Sequence, residues 1–159
     1  MDSLYIIERK LVSTRKFLGY SFWNGAGQIK CRVSDKAREA FKQRLRQITS
    51  RSGGRSLPQV IEQLRRSMPG WKAYFQRAQT PSVFANLDRW VRHRLRALQL
   101  KHWRRGTTMY QELRAIGASE ADACKVAAKG RSGWHASHRV LNRVMPVAYF
   151  DPLGVPRLS

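Results

Sequence analysis

Residues 88–105 read DRWVRHRLRALQLKHWRR, seven lysines and arginines against one acid, with two tryptophans set among them. Extended back to Phe84 and read as a helix, the stretch places Phe84, Leu87, Val91, Leu95 and Leu98 on one apolar stripe. Arg89, Arg92, Arg96 and Trp103 fall on a second stripe, with His93 beside it. Like charges at such spacings oppose an isolated helix by roughly 0.2–0.5 kcal/mol per pair. A chain that keeps this face is expected to neutralise it with something outside itself, and a polyanion is the simplest candidate.

The rest of the chain supports a mainly α fold around that helix. Upstream, KFLGYSFW and QIKCRV flank Asn24-Gly25-Ala26-Gly27, two β-prone runs that predict a hairpin with a four-residue loop. Gly19 inside the first run suggests a bulge or a close backbone approach. Ser34 can cap a helix whose apolar positions are Ala37, Phe41, Leu45 and Ile48. Ser56 and Gln59 form a capping box for a second helix, which Pro69-Gly70 should stop. Trp71, Tyr74 and Phe75 follow at core spacing. Thr80-Pro81 opens the long basic helix, read as running to Gly106. Thr108 with Gln111, then Ser119, then Ser137 mark three further helix starts, before a tail carrying three prolines. The expected architecture is an N-terminal β-hairpin, a helical bundle and additional short helices.

Composition narrows the function. Thirty-one Lys+Arg against ten Asp+Glu give a net charge of +21 in 159 residues, while 42% apolar residues suffice for a real core. Such a domain repels itself in water, so its expected partner is anionic. Spread over several helices, the charge fits nucleic acid better than a membrane surface. Twenty-two of the basic residues are arginine, whose planar fork binds phosphate bidentately. Cys31 and Cys124 lie far apart with no metal or disulfide spacing, and no signal peptide or membrane span is evident, so a cytoplasmic location is expected. His135-x-x-His138 lacks a neighbouring Glu or Cys ligand, and Cys124 has no adjacent base, so no metal, cofactor or nucleophile is expected.

Three ordered segments are more specific. Phe17-Leu18-Gly19-Tyr20 precedes the hairpin, Gly70-Trp71-x-x-Tyr74-Phe75 follows at a distance, and then comes Phe84-x-x-Leu87-Asp88-x-Trp90-Val91-x-x-Arg94-Leu95-Arg96. Trp103-Arg104-Arg105, Leu113-x-x-x-Gly117, Lys129-Gly130 with Trp134 and Ser137, and Tyr149-Phe150-Asp151-x-Leu153-Gly154 continue the series. The set resembles the C-terminal part of group II intron-encoded reverse transcriptase/maturases, from the end of the palm through the thumb, or maturase (X), domain. The resemblance spans roughly residues 15–159.

It implies a mostly parallel helical thumb that grips intron RNA and helps it fold and splice. Residues 1–33 would be a remnant of the palm end, with Phe17, Leu18, Gly19 and Tyr20 matching the primer grip, and 34–159 the maturase-specific helical domain. A primer–template duplex and a palm on a separate chain are the further partners implied. The alternative reading is a thumb fragment of an RNA-directed DNA polymerase. Relatives place a Tyr-Ala-Asp-Asp motif before this region, and two-metal nucleotide transfer needs such paired carboxylates. This sequence has no Asp-Asp or Asp-x-Asp, so it is not expected to polymerise DNA by itself. The RNA-contact candidates are Lys36, Arg38, Lys42 and Arg46; Arg89, Arg92, His93 and Arg96; Arg104 and Arg105; and Lys129, Arg131 and His135.

Overall fold

The computed structural model describes residues 16–25, 27–129 and 134–159. Its N-terminal part is an antiparallel sheet of β1 (Lys16–Phe17), β2 (Tyr20–Gly25) and β3 (Gln28–Val33), in that order. Leu18 and Gly19 make the first turn, both with positive φ (48° and 81°). A Cβ at position 19 would lie 3.0 Å from Phe75 Cζ, so glycine serves both the turn and a close approach. β2 and β3 pair from Tyr20↔Val33 to Gly25↔Gln28. The hairpin loop is therefore two residues, not four. Gly27 takes φ 79°, which suits a tight connection that keeps Asn24 and Gly25 in the ladder.

Six α-helices follow: α1 (Asp35–Ile48), α2 (Leu57–Phe75), α3 (Pro81–His102), α4 (Gly106–Ala115), α5 (Glu120–Lys129) and α6 (Trp134–Val144), with a 3-10 turn at Val147–Phe150. The mainly α expectation is met. The Ser34 side chain accepts from Ala37 N, Ser56 and Gln59 form the reciprocal capping box, and Ser119 Oγ accepts from Asp122 N.

Four boundaries differ from the sequence reading, the first being that α3 ends at His102, short of Gly106. α2 runs through Pro69 to Phe75, although an interior proline costs a helix about 3 kcal/mol. Burial of Met68 and Phe75, and stacking of Trp71 on Phe41 at 4.3 Å, offset that cost. α4 starts at Gly106, ahead of Thr108, because its first turn packs on α5. There a Cβ would come within 3.1 Å of the Ala127 carbonyl. α6 begins at 134, ahead of Ser137.

α1, α2 and α3 form an up-down-up bundle. Phe41 meets Trp71, so α2 is antiparallel to α1, and Trp71 meets Phe84 at the start of α3. Lys42 lies against Trp90 while Thr49 meets Arg94, so α1 and α3 run parallel. Leu45, Leu64, Met68, Leu87, Val91 and Leu95 fill the interior. The sheet covers one end, where Tyr20 packs on Phe75 and Gln79 N donates to Cys31 O. α4, α5 and α6 extend the core through Met109, Leu113, Val126, Leu141 and Met145. Of Trp71, Tyr74 and Phe75, all expected in the core, Tyr74 is the exception, 53% exposed with its hydroxyl donating to Leu18 O.

The tail closes the fold by lying in the α2–α3 groove. Arg65 Nε donates to Gly154 O at 2.9 Å and Lys72 Nζ to Arg157 O at 3.3 Å. Gly154 has φ 80°, and a Cβ there would run into the Arg65 guanidinium. Val155 and Leu158 point into the core. On the α3 side, Asp88 accepts from Leu158 N (3.0 Å), Ser159 N (2.8 Å) and Ser159 Oγ (2.7 Å). Arg92 Nη1 donates to Asp88 at 2.8 Å, and its Nη2 donates to Pro156 O at 2.9 Å.

A buried ion pair that loses one partner leaves an uncompensated charge, at about 3–5 kcal/mol. Asp88→Ala should therefore destabilise the protein by that amount in urea unfolding. A loss under ~1 kcal/mol would show that the tail does not depend on this carboxylate.

Candidate nucleic-acid interface

The charged stripe of α3 divides between interior and surface. Arg92 is fully buried and Arg96 is 5% exposed. Arg96 Nε donates to Met145 O at 2.8 Å, and its guanidinium lies over Phe150, 5.7 Å from the ring centre. Burial, and secondarily the charge of Arg92, push the Arg96 pKa down to about 10, so it stays cationic at neutral pH. Burial also lowers Arg92, opposed by Asp88. Both residues, expected as RNA contacts, are thus internal fasteners of the tail and of α6. The physical reason is that α3 is the central helix, covered on this side by chain that the local spacing does not reveal. Trp103 on the same stripe is also buried, 7% exposed. Arg89, nearer the start of the stripe, is exposed and among the described residues reaches only Asn86 Oδ1, at 3.4 Å. His93 is half-buried.

The outward cations of α3 lie on a different line. Trp90, Arg94 and Lys101 recur at i, i+4 and i+11, and each meets the α1 side. Lys42 Nζ and Arg46 Cζ lie 5.9 and 5.5 Å from the Trp90 ring centre, and Arg94 Cζ lies 5.3 Å from it. Arg94 Nε donates to Thr49 Oγ1 at 2.6 Å, and Lys101 Nζ bonds Arg51 O. Arg38 continues the α1 row at half exposure, paired with Asp35 at 2.9 Å. Lys36 is exposed in the first turn. This flank joins three sequence candidates, Arg38, Lys42 and Arg46, to Trp90 and Arg94, while Lys36 falls on another side of α1. Trp90 and Arg94 were absent from the candidate list. Their i, i+4 spacing is visible in the sequence, but its pairing with Lys42 and Arg46 is not.

A second basic area closes the same end of the bundle as the C-termini of α1 and α3. Arg51, Arg55, Lys101, His102 and Arg104 line a recess of about 290 Å³. Arg104, with φ 34°, and Arg105 are both exposed, with no ion pair among the described residues. A groove of about 420 Å³ between α1 and α2 adds Arg44 and Arg66. Lys129 is exposed at the end of α5. Arg131 and the His135 side chain lie outside the described residues.

The primer-grip-like residues sit together at the sheet end. Phe17 and Leu18 are each 65% exposed, Gly19 abuts Phe75, and Tyr20 donates to Tyr74 O at 2.6 Å.

Acids do little to cancel this surface. Seven ion pairs form among the described residues, and Asp88–Arg92 is the buried one. Exposed pairs are worth about 0–1 kcal/mol each and leave the local charge excess in place. The described surface is that of a strongly basic helical module. Residues 38–117, half of the chain, match the family model of the group II intron, maturase-specific domain, and the chain belongs to that family. No curated protein matches it.

Each cation that neutralises a phosphate contributes roughly 0.7–0.9 to the slope of log affinity against log salt. R104Q/R105Q should lower the slope for a structured intron RNA by about 1.5 without shifting the melting midpoint. An unchanged slope would remove this end of the bundle from the interface.

Proposed function

We propose that this chain is an RNA-binding maturase domain that holds group II intron RNA and assists its folding and splicing. The observation that carries the reading is the surplus of exposed cations on one flank and one end of the bundle, with few carboxylates set against them. The mechanism is binding. Guanidinium and ammonium groups neutralise phosphates that crowd together as the intron compacts, and the RNA performs the transesterifications. The rigid bundle keeps the cations in fixed places, so compact RNA is favoured over extended RNA.

If ~6–10 phosphates are contacted, affinity should fall roughly 10³–10⁵-fold between 50 and 200 mM salt. The protein should also accelerate splicing of an intron transcript at magnesium concentrations where the RNA alone is slow. A flat salt response, or equal affinity for an unrelated structured RNA of the same length, would contradict intron-directed binding.

One observation favours a second reading, a thumb that works with a palm on another chain. Phe17 and Leu18 are exposed beside Tyr74, an apolar cluster at the end of the sheet. Exposed apolar clusters mark contact sites more often than scattered single residues do. Under this reading, mixing with a reverse transcriptase palm protein restores primer extension, and F17S/L18S abolishes it. No extension in any mixture would count against the reading.

A further inference from the structure

Trp90 gathers three cations from two helices without neutralising them. Lys42 and Arg46 come from α1 and Arg94 from α3, all within 6 Å of the ring centre. A ring attracts a cation through its quadrupole and carries no formal charge, so the positive charges remain available. Glu39 is the carboxylate within reach, and it bonds Arg46 Nη1 at 2.6 Å. Its own pKa is lowered, chiefly by that hydrogen bond; burial opposes the shift, and the charges of Arg46 and Lys42 add to it.

The geometry of the cluster is fixed from behind. Arg94 Nε is held by Thr49 Oγ1, and Thr49, 1% exposed, donates to Leu45 O at 2.6 Å. The forward donors are unspent. Lys42 Nζ, Arg46 Nε and Nη2, and Arg94 Nη1 make no hydrogen bond to the described residues. Crowding is felt at Arg94, whose pKa is lowered by burial and then by Arg46 and Arg51. Cations held this close, with donors left over, gain by taking an anion between them.

We propose that Trp90 is the positioning residue of a phosphodiester-binding site formed by Lys42, Arg46 and Arg94. Lys42 and Arg46 stand one helical turn apart, about 6 Å along α1. With Arg94 opposite them, a bound phosphate ties α1 to α3. The site deepens the RNA-binding reading above and rests on it, assigning one of that interface's contacts to a defined trio. The plain alternative is that Trp90 only packs against the methylene stems of its neighbours, a role leucine would fill equally well.

The test measures affinity for a group II intron transcript between 50 and 200 mM salt for wild type, W90F, W90L and K42Q/R46Q, with melting midpoints read alongside. W90L should weaken binding on the order of tenfold, W90F should recover most of that loss, and K42Q/R46Q should lower the salt slope by about 1 to 2. In the K42Q/R46Q background, W90L should add little, because the ring acts through those cations. Salt-dependent wild-type binding with W90L unchanged, or with its full loss persisting in that background, overturns the site alone. Salt-insensitive wild-type binding overturns the RNA-binding reading and the site together. If W90L does not fold, W90F and K42Q/R46Q carry the decision. W90F equal to wild type supports the site only if K42Q/R46Q lowers the slope, and an unchanged slope overturns it.

Discussion

Asp88 is the point on which the fold turns. Its carboxylate, in the middle helix of the bundle, accepts from Arg92, two backbone amides and a hydroxyl of the tail. A carboxylate taken out of water costs several kcal/mol unless its lone pairs are filled, and here they are. Arg92 is held from the other side by Pro156 O. The pair therefore fixes the last residues in the α2–α3 groove, where Val155 and Leu158 complete the core. Arg96 does the corresponding work for Met145 and Phe150. With this side of α3 committed to internal fastening, its Trp90–Arg94–Lys101 side is left to carry surface charge.

That division explains how one helix serves both stability and charge display. Its interior arginines donate to backbone carbonyls and a single acid, although Arg92 Nε is buried without a hydrogen-bond partner among the described residues. The outward ones rest on an aromatic ring, a threonine and carbonyl groups, none of which cancels their charge. A protein of net charge +21 is destabilised by its own field, and a bound polyanion removes that penalty. Membership of the group II intron maturase-specific family agrees with the proposal that this polyanion is an intron RNA.

Much of the scaffold was legible from local signals. Ser34, the Ser56/Gln59 box and Ser119 each begin a helix where their chemistry requires, and the apolar stripe of α3 is buried as expected. The errors arose where distant chain decides. Arg92 and Arg96 look like solvated arginines because the carbonyls that hold them are 63, 64 and 49 residues away. Pro69 looks like a stop because the stacking of Trp71 on Phe41 comes from another helix. Tyr74 takes core spacing yet faces outward, since its helix ends at the sheet, where a backbone carbonyl receives its hydroxyl. The candidate interface was legible as a composition and a set of rows. Which rows face outward together depends on the parallel packing of α1 on α3, and no spacing within either helix specifies that.

On the proposed reading, α3 carries structural arginines inside and RNA-binding cations outside. Arginine modification by phenylglyoxal, read by mass spectrometry with and without an intron transcript, tests it most directly. In the free protein, Arg46, Arg89 and Arg104 should react while Arg92 and Arg96 do not, and the transcript should protect the reactive set. Reaction at Arg92 and Arg96 that RNA then blocks, or reactivity at Arg46 and Arg104 that RNA leaves untouched, would contradict it.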